Sequence, residues 1–375
     1  MDTVNFISIA KHFEPLKDPR MLLKTDHKLI DIIVISICAV IAGADKWTQI
    51  EEFAQTHEEW FKKFLELPNG VPSHDTIGRV FSIISAKQFQ HCFQEWIKSV
   101  FTVTEGQVIA IDGKTLRRSH DRRSNKAALH LVHAWSATNS LLLGQVKTKE
   151  KSNEITAIPE LLEILQLKGC IVTIDAMGCQ KKIAEDIHNR GADYILAVKD
   201  NQGELKEALE KTFTKAREIS FEAMVYSQHQ SVEKDHGRLE TRQCYVLPHM
   251  YLHEFKIKWK GLQSLIMIES ECTSQGKQTK EQRYYISSLK PNAVQIASAV
   301  RQHWTVENSL HWCLDVVFRE DESRVRVGDA PENFSMLRKI ALIYLKRETT
   351  IKKGIQTKRL KAGWDLNYLL KVITG

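Results

Sequence analysis

Two short runs of β-branched residues constrain the fold of this chain most, because each run ends in an aspartate. Val108–Ile111 leads into Asp112, and Ile171–Ile174 leads into Asp175. Such runs predict buried strands, and ligand sites in open α/β sheets lie outside the carboxyl ends of strands. A third acid, Glu307, lies on a predicted helix, at the rim of its apolar face. Together they predict a divalent-metal site, because hard cations bind carboxylate oxygens.

A strand-terminal aspartate can also be a turn former or a helix cap, but the flanking residues favour a functional interpretation. Five motifs follow one another along the chain: PSHDTI at 72–77, DGKTLRRS at 112–119, DAMGCQ at 175–180, HGR at 236–238 and ENSLHWCLDVVF at 307–318.

These motifs, in this order, resemble the DDE transposases of bacterial insertion sequences, in the branch called H-repeat-associated proteins. The resemblance runs through nearly the whole chain. It implies an enzyme that cuts the ends of an insertion sequence and joins them to target DNA. It also implies that Asp112, Asp175 and Glu307 are catalytic and hold two Mg²⁺ ions, with Mn²⁺ as a possible substitute. Asp112 would bridge both ions, and two such ions activate the attacking oxygen and stabilise the leaving one.

The fold class implied by the resemblance is α/β, with a ribonuclease-H-like core of a mixed sheet and flanking helices. We expect that core at 105–200 and 281–335, interrupted by a mostly β insertion at 201–280. A helical domain at 1–104 precedes it, and a basic helical segment at 336–375 follows it. The N-terminal domain could recognise DNA ends, or serve packing or dimerisation, and the sequence leaves both interpretations open.

Hydrophobic periodicity predicts the individual elements. Core strands are expected at 107–112, 130–137, 140–146, 170–175 and 193–198, core helices at 155–166 and 180–190, insertion strands at 222–229, 240–247 and 263–270, and N-terminal helices at 29–43, 48–65 and 76–101.

The charge distribution points to a polyanion. Net charge is +7, and residues 336–375 carry ten Lys or Arg against Glu348 and Asp365. Basic side chains beside a carboxylate site suit a metal-dependent enzyme acting on nucleic acid; a solvated face is the alternative. A second basic cluster follows Asp112: Lys114, Arg117, Arg118, Arg122, Arg123 and Lys126. In the C-terminal segment we expect these cations to face DNA: Lys346, Arg347, Lys352, Lys353, Lys358 and Arg359.

The expected partner is double-stranded DNA, both element ends and target, with a homodimer when DNA is bound. Trp304 could stack on an unpaired base or pack under its helix. Where the wider class has an Arg and a Lys around the glutamate, this chain has His303 and Leu314. The candidate DNA-contacting residues are Lys114, Arg117, Arg118, His236, Arg238, Arg301, His303 and Trp304.

Three other functions compete with an active transposase. A catalytically silent DNA-binding relic and a metal-dependent nuclease without strand transfer share the fold. A zinc hydrolase would use His303, Glu307 and His311 at helical spacing, although the metalloprotease motif is absent.

Cellular context follows from composition. The longest apolar stretch, Ile32–Gly43, is too short to span a bilayer, and no secretory leader is visible. We expect a cytoplasmic, nucleoid-associated protein without a membrane partner. Seven scattered cysteines without a Cys-x-x-Cys pair predict buried reduced thiols.

Overall fold

The computed structural model describes residues 7–21, 25–101, 104–120, 127–148, 154–235, 238–274 and 277–374. The fold is mixed α/β, and its strands form one nine-stranded sheet in the order β3-β2-β1-β4-β5-β9-β8-β7-β6. The strands are β1 Val108–Leu116, β2 Leu129–Ser136, β3 Leu141–Lys147, β4 Ile171–Ile174, β5 Asp193–Val198, β6 Ser227–Asp235, β7 Arg238–Pro248, β8 Ser264–Ser274 and β9 Lys277–Ser287.

Parallel pairing is confined to the centre of the sheet, where β4 pairs with β1 and β5. The β1–β4 register runs from Val108 opposite Ile171 to Ile111 opposite Ile174. Asp112 and Asp175 are therefore each the next residue on neighbouring strands, at the same edge of the sheet.

The prediction that the first core strand stops at Asp112 is wrong. β1 continues to Leu116 because β2 pairs with it antiparallel along that length, with Asp112 opposite His133. The aspartate thus lies where the parallel partner ends while the antiparallel partner continues. Pairing with β2 holds the backbone of Asp112 from one side, and this restrains the carboxylate more than a free strand end would.

The segment before the last core strand is a set of long antiparallel hairpins. β9 pairs with β8 over its whole length and with β5 at its end, so the hairpins extend the core sheet. β9 crosses the expected domain boundary at 281 without a break. The strand expected at 222–229 begins only at Ser227, because a turn with positive φ at Ser220, Phe221 and Ala223 precedes it.

The helices flank the sheet and build a separate layer around the N-terminus. They are α1 Ile7–Phe13, α2 Leu29–Ile41, α3 Trp47–Thr56, α4 Glu58–Phe61, α5 His74–Ile83, α6 Ala86–Val100, α7 Glu154–Glu163, α8 Lys181–Asn189, α9 Gly203–Glu218, α10 His253–Lys258, α11 Ala293–His303, α12 Ala330–Arg347, α13 Ile355–Trp364 and α14 Leu366–Thr374.

The single helix expected at 76–101 is two helices. Ile84 has extended backbone, and Ser73 and Ser85 cap α5 and α6 by accepting hydrogen bonds from the N–H groups of Thr76 and Gln88. A serine side chain satisfies an orphan amide at a helix start. The second cap makes the break stable although the apolar pattern continues across it.

Helix α12 joins the N-terminal helices to the rest of the molecule. It is buried along most of its length and packs on α2, α5 and α6. Asn333 donates hydrogen bonds to the carbonyl of Phe81, in the last turn of α5, and to that of Ile84, at the α5–α6 break. The C-terminal segment and the N-terminal helices therefore form one packed unit.

The prediction that Lys358 and Arg359 face DNA is wrong, because both side chains are buried. Arg359 donates to the carbonyls of Val40, Ala44 and Val317, and its Nη2 lies 2.6 Å from Asp45 Oδ1. Carbonyls near helix ends lack intrahelical partners, and a guanidinium has enough N–H donors to satisfy several.

The remaining basic side chains of this segment divide by exposure. Lys358 donates to the carbonyls of Leu345 and Glu348, and Arg338 and Lys339 are buried in α12. Lys346 is half-buried, with its Nζ 4.5 Å from the ring centre of Trp135. Exposed are Arg347, Lys352, Lys353 and Lys371.

Within the described ranges, no helix is long and apolar enough to cross a membrane. All seven cysteines are free, and all but the half-buried Cys272 are buried. The prediction of buried reduced thiols is confirmed for those six.

We predict that Arg359→Met lowers the free energy of unfolding by about 3 kcal/mol, because it leaves carbonyls and a carboxylate without their buried partner. Urea denaturation followed by circular dichroism measures this. Lys352→Met removes an exposed cation nearby and should change stability by at most about 0.5 kcal/mol. Equal losses in both variants would mean that the buried contacts contribute nothing.

Candidate active site

Asp112 and Asp175 are both held by local backbone. The Gly113 N–H donates to Asp112 Oδ1 at 2.9 Å. Asp175 Oδ1 accepts from the N–H groups of Met177 at 3.1 Å and Gly178 at 3.4 Å, which closes the turn after β4. Both carboxylates are partly exposed, so they are oriented without being sealed from solvent.

Charge accumulates at this edge of the sheet. Burial, together with the charges of Asp175, Glu154 and Glu307, raises the pKa of Asp112 to about 7, against the opposing effect of the hydrogen bond from Gly113. Burial likewise raises the pKa of Asp175, with Glu154 adding to the effect. Like charges disfavour ionisation, so a cation bound here would relieve the repulsion.

A divalent metal fits this donor set chemically, because the side chains are carboxylates in electrostatic contact. Glu307 is exposed and close enough to raise the pKa of Asp112. In the described part of the chain, no group of three or more His, Cys, Asp or Glu side chains is already arranged to hold a metal ion. Asp112 and Asp175 share an edge of the sheet, and Glu307 lies within electrostatic range of Asp112.

The backbone that carries Glu307 is not the continuous α-helix expected from its apolar period. α11 ends at His303, and π-helical turns follow at Glu307–His311 and Cys313–Val317. The amides of Trp312 and Phe318 donate to the carbonyls of Glu307 and Cys313, five residues back in each case. The rim position derived from an α-helical period therefore does not apply, and such turns are frequent at functional sites.

The sequence did not predict that two histidines, His133 and His311, form a pair behind Asp112. His311 Nδ1 lies 3.5 Å from Asp112 Oδ2, and its Nε2 lies 3.1 Å from His133 Nδ1. Burial lowers the pKa of His311 to about 3 and that of His133 well below its ordinary value. Neutral imidazoles each donate and accept, so this pair can orient the carboxylate without neutralising it. Register was the missing signal, since His133 pairs with Asp112.

The two histidines of the zinc-hydrolase alternative have different side-chain partners in this structure, which does not favour a shared zinc ion. His311 is paired with His133. His303 Nδ1 lies 2.9 Å from Thr173 Oγ1, on β4. Burial lowers the pKa of His303 to about 4, so a contact between this side chain and phosphate, which stays a prediction, would be made by the neutral imidazole.

The prediction that Lys114 contacts DNA is wrong, because this side chain is buried in an ion pair. Its side chain is 7% exposed, and its Nζ lies 2.5 Å from Asp315 Oδ1 and 3.8 Å from Asp321 Oδ1. Because β1 continues past Asp112, this lysine is covered by the chain that follows the π-helical turns. It ties β1 to the Glu307 segment and is not presented to a phosphate.

The neighbouring arginines remain at the surface. Arg117 and Arg118 are exposed, and Arg117 Nε lies 3.2 Å from Asp321 Oδ2. Four candidates of the sequence analysis lie outside the described residues: Arg122, Arg123, Lys126 and His236.

Arg238, Arg301 and Trp304 line one groove of about 820 Å³ between the β6–β9 hairpins and α11, which we name the hairpin groove. Arg301 Nη2 lies 2.8 Å from Glu233 Oε2, and the Arg283 guanidinium lies 4.5 Å from the Trp304 ring centre. Trp304 is thus already covered on one face by a cation. The groove reaches Asn308, the residue after Glu307.

Comparisons with known proteins identify the family of this chain. A family model described as "Transposase DDE domain" matches residues 104–344, and a "DDE_Tnp_1-associated" model matches residues 10–97. The chain is 45% identical over 376 residues to "H repeat-associated putative transposase YhhI" of Escherichia coli (strain K12), covering 98% of each chain. It is 44% identical over 373 residues to "Putative transposase YncI" of Escherichia coli O157:H7, covering 98% of this chain and 95% of that protein.

Among solved structures, a piggyBac transposase synaptic complex with hairpin DNA superposes with a TM-score of 0.40 and 9% identity, covering 98% of this chain and 78% of that one. That likeness is too loose to support any statement about this protein. The sequence matches are close and nearly full-length, and they show that the chain belongs to the DDE transposase family, with H repeat-associated transposases among its relatives.

Proposed function

We propose that this protein is an active transposase that cuts the ends of its insertion sequence and joins them to target DNA. The observation that carries the proposal is the β1–β4 register, which makes Asp112 and Asp175 neighbours at one edge of the sheet. Their raised pKa values, with Glu307 contributing to that of Asp112, support a shared cation site.

The core of this enzyme would be ribonuclease-H-like and occupy residues 105–200 and 281–335. The strand order β3-β2-β1-β4-β5, antiparallel on one side of β1 and parallel on the other, supports that assignment. The hairpins within 201–280 would be an insertion that extends this sheet. Residues 1–104 and 336–375 would form the accessory helical parts.

Two Mg²⁺ ions, or Mn²⁺ in their place, would be held by Asp112, Asp175 and Glu307. When bound, such ions activate the attacking oxygen and stabilise the leaving oxygen at phosphorus. The protein's own contribution is positioning. Backbone amides orient Asp175, His311 supports Asp112 from behind, and the Lys114–Asp315 ion pair fixes the Glu307 segment against β1.

Double-stranded DNA would be contacted by exposed side chains around these carboxylates, and the place of action would be the nucleoid. Arg117 and Arg118 follow β1 directly, while Arg238, Arg301 and Trp304 line the hairpin groove beside Glu307. We expect a homodimer on DNA, since each element end must be cut and joined in one complex.

One assay distinguishes an active transposase from a catalytically silent DNA-binding relic and from a nuclease without strand transfer. Purified protein is incubated with a labelled duplex of the flanking terminal repeat and a target plasmid, in magnesium or calcium. A transposase yields both cleaved ends and joined products with magnesium. Cleavage without joining identifies a nuclease, and binding without cleavage identifies a relic.

We predict that Asp112→Asn, Asp175→Asn and Glu307→Gln each reduce magnesium-dependent cleavage by about a thousandfold or more, because each loses a metal ligand whose contribution is roughly 4 kcal/mol. Gel-resolved cleavage rates measure this, with circular dichroism as a check on folding. Glu218→Gln neutralises an exposed carboxylate at the end of α9 and should cleave normally. Near-normal cleavage by any one of the three variants would remove that residue from the site.

A second prediction concerns the hairpin groove, where Glu233 pairs with both Arg242 and Arg301. Glu233→Gln should tighten binding of a labelled duplex a few-fold at low salt and steepen its salt dependence, by up to about 0.9 log–log units per arginine released to a phosphate. Glu271→Gln, which removes a carboxylate paired with Lys280 outside the groove, is the matched control. Unchanged affinity in Glu233→Gln would show that DNA does not enter this groove.

A further inference from the structure

A second groove, of about 870 Å³, lies between the N-terminal helices and the chain that follows the π-helical turns. One wall comes from the start of α3 and from α5, and the other from residues 319–330, with Arg118 at the boundary. We name it the interdomain groove. It is separate from the carboxylate edge and from the hairpin groove.

The interdomain groove is rich in uncompensated positive charge. Its lining contains six Lys or Arg against three carboxylates. Asp45 is already paired with the buried Arg359, and Glu322 with Arg319. The exposed cations that form no ion pair with another residue of the described ranges are Lys46, Arg79, Arg118 and Arg324.

The cations of the hairpin groove, by contrast, are already paired. Its four arginines are all matched by glutamates. A phosphate entering there must first displace a carboxylate, whereas the interdomain groove offers exposed cations that form no ion pair with a described residue and are balanced by counterions from solution. Release of those counterions is what drives a polyanion onto such a surface. The pairs are Arg238 with Glu240, Arg242 with Glu240 and Glu233, Arg283 with Glu281, and Arg301 with Glu233.

Hydrogen bonds join the two walls of the interdomain groove. The Asp329 N–H donates to the Ser82 carbonyl at 3.0 Å, and Asp329 Oδ2 accepts from the Ala86 N–H at 3.0 Å. Gly328 has φ +52°, and a Cβ there would lie 2.2 Å from the same Ser82 carbonyl. Because these contacts already order the groove, ligand binding costs little conformational free energy.

The groove is also connected to the candidate active site. Arg118 follows β1, the strand that carries Asp112. Arg326 Nε donates to the Arg118 carbonyl at 3.2 Å, which ties the far wall to the end of that strand. A duplex lying along the groove would leave it beside the arginines that follow β1.

We propose that the interdomain groove binds the phosphate backbone of duplex DNA, with Lys46, Arg79 and Arg324 as contacts from its two walls. This rests on the proposed function, because it takes DNA as the substrate. Backbone contacts position a duplex without reading its sequence. The groove therefore supplies affinity for element ends and target alike.

The test compares two triple variants that lose the same charge. Lys46→Gln/Arg79→Gln/Arg324→Gln removes the groove cations, and Lys63→Gln/Lys168→Gln/Lys215→Gln removes exposed lysines outside it. Fluorescence anisotropy follows binding of a labelled terminal-repeat duplex and a random duplex at several salt concentrations. We expect the groove variant to weaken binding of both duplexes equally. Its log–log salt slope should be smaller by up to about 2.7, at about 0.9 per contact, while the control matches the wild type.

Each other outcome is decisive. If the groove variant binds like the control, the groove proposal fails while the proposed function stands on the wild type's own binding and cleavage. If the wild type binds neither duplex, both proposals fail. If a polyglutamate peptide of equal charge competes as well as unlabelled duplex, the groove is not a DNA site. Arg324→Gln alone, with a slope reduced by up to about 0.9, keeps the test valid if the triple variant folds poorly.

Discussion

The structure depends on the parallel pairing of β1 with β4. Four residue pairs bring the strands together, and the next residue on each strand is an aspartate. Side chains at the ends of adjacent parallel strands lie close together, because the strands are about 4.8 Å apart. The electrostatic repulsion between these two carboxylates follows from that register, and the rest of the site consists of groups that hold the carboxylates in place despite it.

Those supporting groups are polar and come from distant parts of the chain. His311 reaches Asp112 from the π-helical turns, and His133 backs it from β2. Lys114 pairs with Asp315 on the same π-helical stretch. Three elements are therefore joined at the carboxylate edge by imidazoles and an ion pair. A buried charged pair costs desolvation free energy that its attraction only partly repays, so this arrangement favours positional specificity over stability.

Positive charge in this protein serves two different purposes, which the structure separates. Arg359 and Lys358 satisfy carbonyls at helix ends and hold the C-terminal helices on the core. The arginines of the hairpin groove are balanced by glutamates, whereas Lys46 and Arg79 are not. Net charge alone says little about where DNA lies, because a neutralised cation contributes almost nothing to the surrounding field.

Sequence alone determined the parts of this protein that depend on local pattern. The β-branched runs located β1 and β4, and the motifs around Asp112, Asp175 and Glu307 indicated the family. The hydrophobic periodicity did not predict the helix break at Ile84 or the π-helical turns, because apolar residues continue across both. Only the tertiary structure decided which cations are free. The ion-pair partner of Lys114 is 201 positions away in the sequence, and Asp45 is 314 positions from Arg359. No local sequence pattern reveals such partners, because only folding brings them close.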